Sequence, residues 1–347
     1  MNTFTTICIV FGGPAREHEI SVKSGINVMH AALEKGYHVL PVLWTRERTW
    51  KYPETEYCHP EEVNAFVSRI ETYMPKTSGD LLRFLEQRDV RCVFPMLHGP
   101  WGEDGRIQGF FQTAGFCVVG QDVLGAAISM DKLVSKVLLQ AAGLPTAAWV
   151  ELTQPNVQAA LVHVRETIGF PCVLKAPSEG SSFGVAIVQK ESQFAQYYPA
   201  IFEMEKRVLA ETFVPGKELT CGVLRSANGT LFALPPTEIV PRVSDYFDFE
   251  AKYQKGGSEE ITPARITPEQ TRMIQEMAIR AHEALHLRQL SRIDFILQEP
   301  DRWIVLEANA LPGFTNQSLF PQAAQVAGIS FPDLVDCILQ SALKYPI

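Results

Sequence analysis

What this 347-residue sequence lacks narrows its function first. It has no excess of positive charge. Thirty-one Lys and Arg stand against 39 Asp and Glu, and the net charge of −8 argues against a nucleic-acid surface or a polybasic membrane contact. No stretch reaches the roughly 18–20 apolar residues that a membrane span requires. The start, Met1-Asn2-Thr3-Phe4-Thr5-Thr6, carries no basic segment, and Gly12-Gly13-Pro14 cuts short the apolar run after it, so no secretory leader is expected. The seven cysteines are an odd number without a CxxC; the two nearest, Cys92 and Cys117, are 25 positions apart, which leaves zinc-ribbon and dithiol readings unsupported. Most sit in apolar runs such as Ile7-Cys8-Ile9-Val10 and read as core residues of a reduced, cytoplasmic protein. Two nucleotide signatures are missing as well: Gly216-Lys217 is followed by Glu218, so there is no GxxxxGK[ST], and no strand–GxGxxG–helix occurs.

What is present is enough apolar residue, 46%, to build packed cores, and a length that predicts two or three domains. The first segment alternates strand and helix signals: a buried strand Phe4 to Phe11, a helix with apolar positions Ile20, Val22, Ile26, Val28, Met29 and Leu33, then strands at 37–44, 90–97 and 116–119. This is βαβ logic, so the expected class is α/β with a parallel sheet. The stretch 45–75 is charged and expected to be irregular. Gly120 marks a boundary. Beyond it come helix 132–142, strand 146–151, helix 156–168, strand 171–176, a Ser/Gly-rich loop 177–184, strand 185–189, helix 191–203 and strand 208–214. The remainder reads as strands 218–226 and 231–240 and a long polar loop from about 241 to 263. A helix follows, opened by the capping box Thr267-Pro268-Glu269-Gln270, then strands 292–298 and 302–309 and two final helices.

Strand alternation makes one further point. In Ser291-Arg292-Ile293-Asp294-Phe295 the residues Arg292 and Asp294 share a face, and in Val305-Leu306-Glu307-Ala308-Asn309 so do Glu307 and Asn309. The short connection between the runs predicts a hairpin. Two carboxylates and an amide oxygen on one face are either hard ligands for Mg²⁺ or a solvated sheet face with an ion pair. Lys175-Ala176-Pro177-Ser178-Glu179-Gly180-Ser181-Ser182-Phe183-Gly184, after a strand, is either a donor-rich cradle for phosphates or a plain hairpin loop. Gly12-Gly13 at a strand's carboxyl end precedes Glu17 and Glu19, which suit an ammonium group or simply complement a helix N-terminus. His98-Gly99-Pro100-Trp101-Gly102-Glu103-Asp104-Gly105 closes another strand with a glycine-dense loop.

Taken in order, Gly12-Gly13…Glu17-His18-Glu19-Ile20-Ser21, His98-Gly99-x-x-Gly102-Glu103-Asp104-Gly105, Ser129-Met130-Asp131-Lys132, Glu179-Gly180-Ser181-Ser182, Glu250-Ala251-Lys252-Tyr253, Arg292-Ile293-Asp294 and Glu307-Ala308-Asn309-x-x-Pro312-Gly313 resemble the motif series of the D-alanine–D-alanine ligases, members of the ATP-grasp superfamily. The resemblance covers nearly the whole chain. It implies a three-domain ATP-grasp architecture: an N-terminal parallel α/β (preATP-grasp) domain at 1–120, a central subdomain at 121–211, and a C-terminal subdomain at 212–347 with a mobile loop at 241–263. It implies ATP and two Mg²⁺ ions, with Mn²⁺ as a substitute, and two D-alanines joined through an acyl phosphate in peptidoglycan precursor synthesis. A homodimer is a family expectation, as is the absence of nucleic-acid and membrane partners.

Residue by residue, the resemblance assigns Lys132, Lys175 and Lys252 to phosphates, and Glu211, Phe213 and Val214 to the hinge that holds adenine. It assigns Glu218 to ribose and Asp294, Glu307 and Asn309 to metal. Glu17 would hold the first ammonium, with Ser181 and Tyr253 as its partners in a hydrogen-bonded triad. Arg292 and the Gly313 N–H would stabilise the oxyanion, His98 would stand near the attacking amine, and Ser318 and Leu319 would hold the second carboxylate. Four positions depart from the usual pattern. Ala310 stands where threonine usually follows the asparagine, Ala176 separates Lys175 from Pro177, Ser291 replaces a glycine, and Thr212 replaces a lysine. The Ala310 departure motivates an alternative, a paralogue joining other amino acids such as D-alanine with D-serine.

Overall fold

The structure, a computed structural model, describes residues 5–54, 59–180, 183–241 and 257–345. Uninterrupted apolar burial in β1 (Thr6–Gly12), β2 (His38–Trp44) and β4 (Cys92–Met96) marks strands covered on both faces. With β3 (Trp50–Lys51) and β5 (Cys117–Val118) they form a sheet of order β3-β2-β1-β4-β5. It is parallel except for the β2–β3 pair. Helices α1 (His18–Glu34), α2 (Pro60–Arg69), α3 (Ser78–Gln87) and α4 (Arg106–Thr113) complete this unit. The expectation of an irregular 45–75 is corrected: β3, α2 and a 3-10 turn at Ile70–Thr72 lie there. Pro60 starts α2 and the spacing of Val63 and Phe66 gives it a face, which the N-terminal core buries.

Next come α5 (Val123–Met130), α6 (Lys132–Ala141), β6 (Trp149–Leu152), α7 (Val157–Thr167), β7 (Cys172–Lys175), β8 (Val185–Val188), α8 (Phe194–Glu205) and β9 (Val208–Thr212). The four strands form an antiparallel sheet, β6-β9-β7-β8, over a separate core containing Leu152, Leu174, Tyr198 and Ala210. The last sheet runs β13-β12-β10-β14-β15, with β11 on β10. Its strands are β10 (Lys217–Arg225), β11 (Leu231–Ala233), β12 (Thr237–Pro241), β13 (Ser258–Ile261), β14 (Leu290–Gln298) and β15 (Arg302–Asn309). The strand expected at 231–240 is split, because Pro235 and Pro236 cannot donate to a ladder. The long polar loop ends earlier than expected, since Ser258–Ile261 pairs with β12.

The sheet is backed by α9 (Pro268–Ala284), whose capping box forms as the sequence predicts: the Gln270 N–H donates to the Thr267 hydroxyl at 3.1 Å, and the Thr267 N–H to Gln270 Oε1 at 3.0 Å. On α9, His282 is fully buried, its ring nitrogens 2.8 Å from Ser291 Oγ and 3.2 Å from the Arg288 carbonyl. The carbonyl can only accept, so Nε2 carries the proton and the Ser291 hydroxyl donates to Nδ1. The serine standing where glycine is usual therefore satisfies a buried imidazole. Burial holds that ring's pKa down to about 4. A folded-state pKa below the ordinary value near 6.5 means that the unfolded chain binds the proton better. Stability from the neutral ring is therefore complete above pH 6.5 and lost as pH falls towards 4. His282→Gln is expected to lower the melting temperature at pH 7 and to shrink the further drop on moving to pH 5. An unchanged pH 7-to-5 difference in thermal unfolding would contradict this.

Two features bind the N-terminal and C-terminal sheets together. Helices α10 (Leu319–Val326) and α11 (Phe331–Lys344) place Phe320, Leu334, Ile338 and Leu339 in the same core as Ile7, Ile9 and Phe11 of β1. At the junction after Gly120, the buried Gln121 amide donates to the Leu290 and Ala310 carbonyls and accepts the Arg288 N–H. Among the described residues no single helix is long and apolar enough to cross a membrane.

Candidate active site

A cavity of about 890 Å³ opens where the three sheets meet, and its walls come from all of them. Its floor is the β14–β15 hairpin. The register sets Asp294 opposite Glu307 and Arg292 opposite Asn309, as alternation predicts. Asp294 is held on every side. Arg292 Nε and Nη2 reach its two carboxylate oxygens at 2.9 and 2.8 Å, the Thr220 hydroxyl donates at 2.6 Å, and Asn309 Nδ2 donates at 2.9 Å. With that nitrogen spent on Asp294, the amide oxygen of Asn309 is its acceptor for a cation. Two carboxylates and one amide oxygen form a hard-oxygen set that fits a small divalent ion whose shell phosphate and water complete. Among the described residues, no group of three or more His, Cys, Asp or Glu is placed to hold a metal by protein alone.

Cations line the same cavity. Lys132, the first residue of α6, donates to the Glu179 carbonyl at 2.7 Å and lies 3.8 Å from Glu307. Lys175, at the end of β7, pairs with Glu211 at 2.5 Å. On its other oxygen Glu211 meets Lys136 at 2.6 Å, and that lysine is only 2% exposed. Burial pushes the Glu211 carboxyl up, but the two ammonium groups outweigh it and hold the pKa down to about 2. Lys136 went unassigned in the sequence. The signal was there: a lysine three positions from both Leu133 and Leu139, within the buried stripe of α6.

The slot beside these lysines is apolar, lined by Ala147, Val173, Ile187, Phe213, Val214 and Leu306. The Phe213 N–H is already given to the Pro171 carbonyl at 3.0 Å and the Thr212 N–H to Ala148 at 2.8 Å. Glu218, near the start of β10, lines the same cavity. The inserted Ala176 has a local reason: its N–H closes the Ser/Gly loop on the Gly184 carbonyl at 3.0 Å, a bond that proline there would forfeit. Ala310 packs its methyl into the core under the C-terminal sheet.

The other end of the cavity is built by loops of the N-terminal sheet. Glu17, 9% exposed, lies against Gly99: a side chain at that glycine, whose φ is +79°, would stand 2.4 Å from the carboxylate. Gly180 faces the same carboxylate. Glu19 takes no part; it is 73% exposed and paired with Arg46. His98 is buried, with Nε2 3.0 Å from Ser24 Oγ, and burial lowers its pKa to about 4. Glu103, which the sequence left without a role, bridges two segments by accepting the Gly99 N–H at 2.6 Å and the Leu311 N–H at 3.3 Å. Enclosure pushes its carboxyl up to about 7. Gly313 lies under Ser318, where a Cβ would meet the serine hydroxyl at 2.9 Å. Ser318 is the N-cap of α10 and Leu319 its first residue, and both line the cavity. Ser181, Lys252 and Tyr253 lie outside the described residues.

The chain is similar to known proteins over nearly its whole length. A family model described as D-ala D-ala ligase N-terminus matches residues 6–121, and one described as D-ala D-ala ligase C-terminus matches 138–340. The D-alanine–D-alanine ligase of Leptospira interrogans is 37% identical over 346 residues, spanning 97% of this chain and 98% of its own. The D-alanine–D-alanine ligase A of Mesorhizobium japonicum is 34% identical over 99% of this chain and 98% of its own. Among solved structures, the VanG D-Ala:D-Ser ligase from Enterococcus faecalis superposes with a TM-score of 0.83 at 28% identity, covering 98% of this chain and all of its own. The D-alanine–D-alanine ligase from Coxiella burnetii gives 0.82 at 26% identity, covering 99% and 94%. A cleft between two sheets, with lysines on one side and an acidic hairpin on the other, on this architecture is that of an ATP-grasp enzyme. Within that class, the chain belongs to the D-alanine–D-alanine ligase family.

Proposed function

We propose that this chain joins two D-alanines into D-alanyl-D-alanine with ATP, releasing ADP and phosphate. The observation that carries the reading is the pairing of Asp294 with Glu307 and of Arg292 with Asn309 on one face of a hairpin, in the same cavity as Lys132 and Lys175, in a member of this family. Asp294, Glu307 and Asn309 hold two Mg²⁺ ions, with Mn²⁺ able to replace them. Bound there, the metal neutralises phosphate charge. Lys132, Lys175 and Lys252 hold the phosphates, while Glu211, Phe213 and Val214 frame adenine and Glu218 takes the ribose. In the hinge, the Phe213 carbonyl and the Val214 N–H fall to the base, because the Phe213 N–H is spent on Pro171.

Glu17 holds the ammonium of the first D-alanine, and Ser181 and Tyr253 complete its hydrogen-bonded triad. That substrate's carboxylate attacks the γ-phosphoryl group and becomes an acyl phosphate. The second D-alanine is held through its carboxylate by Ser318 and Leu319. His98, kept neutral by burial, orients its amine, which attacks the acyl carbon and expels phosphate. Arg292 and the Gly313 N–H offset the oxyanion; one such donor is typically worth about 3–4 kcal/mol. Exclusion of water protects the acyl phosphate.

The reading includes three domains, at 1–120, 121–211 and 212–347, a homodimer, and a cytoplasmic setting. The likeness to a D-Ala:D-Ser ligase supports a second reading, a paralogue that accepts D-serine as second substrate. Phosphate release in the presence of Mg·ATP is expected to depend on D-alanine and to ignore L-alanine. Turnover indifferent to D-alanine would refute the proposal.

A further inference from the structure

The charged 45–75 stretch, which the proposed reaction does not use, reaches the loop that follows β4 through Arg48. Its β2–β3 turn holds Arg48 at φ +63°, a conformation that favours glycine. The guanidinium carbon of Arg48 lies 4.0 Å from the centre of the Trp101 ring, and that of Arg106 lies 4.4 Å from the same ring. Trp101 is itself left-handed, at φ +74°. Its N–H donates to Asp104 Oδ2 at 2.7 Å, and Arg106 pairs with that oxygen at 2.6 Å. Two side-chain-bearing residues thus hold glycine-like backbone and meet through their side chains. Trp50 stacks between Trp44 and Phe110 of α4, with centroids at 5.2 and 5.9 Å, so the turn is anchored at its base as well.

The clamped loop starts at His98 and includes Glu103, which reaches the Leu311 N–H two residues before Gly313. We propose that the Arg48–Trp101–Arg106 stack is a positioning device: it fixes the 98–105 loop, and through Glu103 the 311–313 segment, at the end of the cavity that takes the second amino acid. This rests on the function proposed above. Cation–aromatic contacts at exposed positions change an equilibrium several-fold, which is the scale to expect.

Arg48→Gly removes the link between the turn and Trp101 while suiting the turn, so the melting temperature is expected to stay level or rise. The KM for the second D-alanine rises about three- to tenfold, with the KM values for ATP and the first D-alanine within twofold of the parent. Trp101→Gly gives the same pattern, and Trp101→Phe, which keeps an aromatic face, restores the parent value. Independently of turnover, hydrogen–deuterium exchange in 98–105 speeds up about three- to tenfold in Arg48→Gly and is unchanged in β1. An unchanged exchange rate in 98–105 overturns the clamp, as does a second-substrate KM that stays level or rises equally with that for ATP. A parent enzyme that makes no dipeptide overturns the function reading instead, and the exchange measurement then decides the clamp alone.

Discussion

Replacing Glu307 by glutamine is expected to lower Mg·ATP-dependent turnover by about two to three orders of magnitude while leaving the fold intact. The side chain is half-buried on the open face of β15, opposite Asp294 in the register, and glutamine keeps its size. What the substitution removes is charge. Asp294 has Arg292 on both oxygens and Asn309 is neutral, so Glu307, 3.8 Å from Lys132, is the second carboxylate that a cation bound here needs. Metal charge stabilisation of phosphoryl transfer is worth several kcal/mol, and each 1.4 kcal/mol is tenfold in rate. Steady-state phosphate release across a magnesium titration, with circular dichroism as the fold control, measures the effect. Unchanged kinetics would place the metal elsewhere.

The second large effect concerns stability. Lys136→Met is expected to destabilise the protein by about 3 kcal/mol. The lysine and Glu211 are both enclosed, and removing one partner leaves a buried carboxylate short of compensation; such losses typically cost about 3–5 kcal/mol. Lys175 remains on the other oxygen and keeps the loss towards the lower end. The double variant Lys136→Met/Glu211→Gln is expected to melt lower than Lys136→Met, because it leaves the enclosed Lys175 ammonium without its carboxylate. A single variant as stable as the parent would mean that the carboxylate finds water, and a double variant as stable as the single would deny that Lys175 depends on Glu211. The pair also matters for nucleotide binding. Glu211 draws Lys175 into place at the end of β7, so the double variant, which removes that carboxylate, is expected to raise the KM for ATP.

The hairpin at the metal site was legible in the sequence for a physical reason. Period-two alternation assigns faces, and a short turn fixes register, so Arg292, Asp294, Glu307 and Asn309 could be placed together from spacing alone, and the register agrees. Capping chemistry is equally local, and the Thr267 box formed as read. Features that depend on distant partners were not legible. The helix at 60–69 is held by burial of Val63 and Phe66 in the N-terminal core, which its charged composition concealed. That α10 and α11 share a core with β1 follows from a chain path of over three hundred residues and has no local signal. Glu17 and Glu19 are indistinguishable in sequence; only the fold turns one inward against Gly99 and the other outward to Arg46. Two departures from the family pattern became intelligible only through the partners that the fold brings to them, Ser291 through His282 and Ala176 through Gly184.

The central claim is that this site joins D-alanine to D-alanine. It is tested most directly by supplying the enzyme with Mg·ATP and an equimolar mixture of D-alanine, D-serine and D-lactate at neutral pH, and reading the products by mass spectrometry. The account predicts D-alanyl-D-alanine as the dominant product, with phosphate released in equal amount. A dominant D-alanyl-D-serine or D-alanyl-D-lactate, or ATP hydrolysis without any dipeptide, would contradict it.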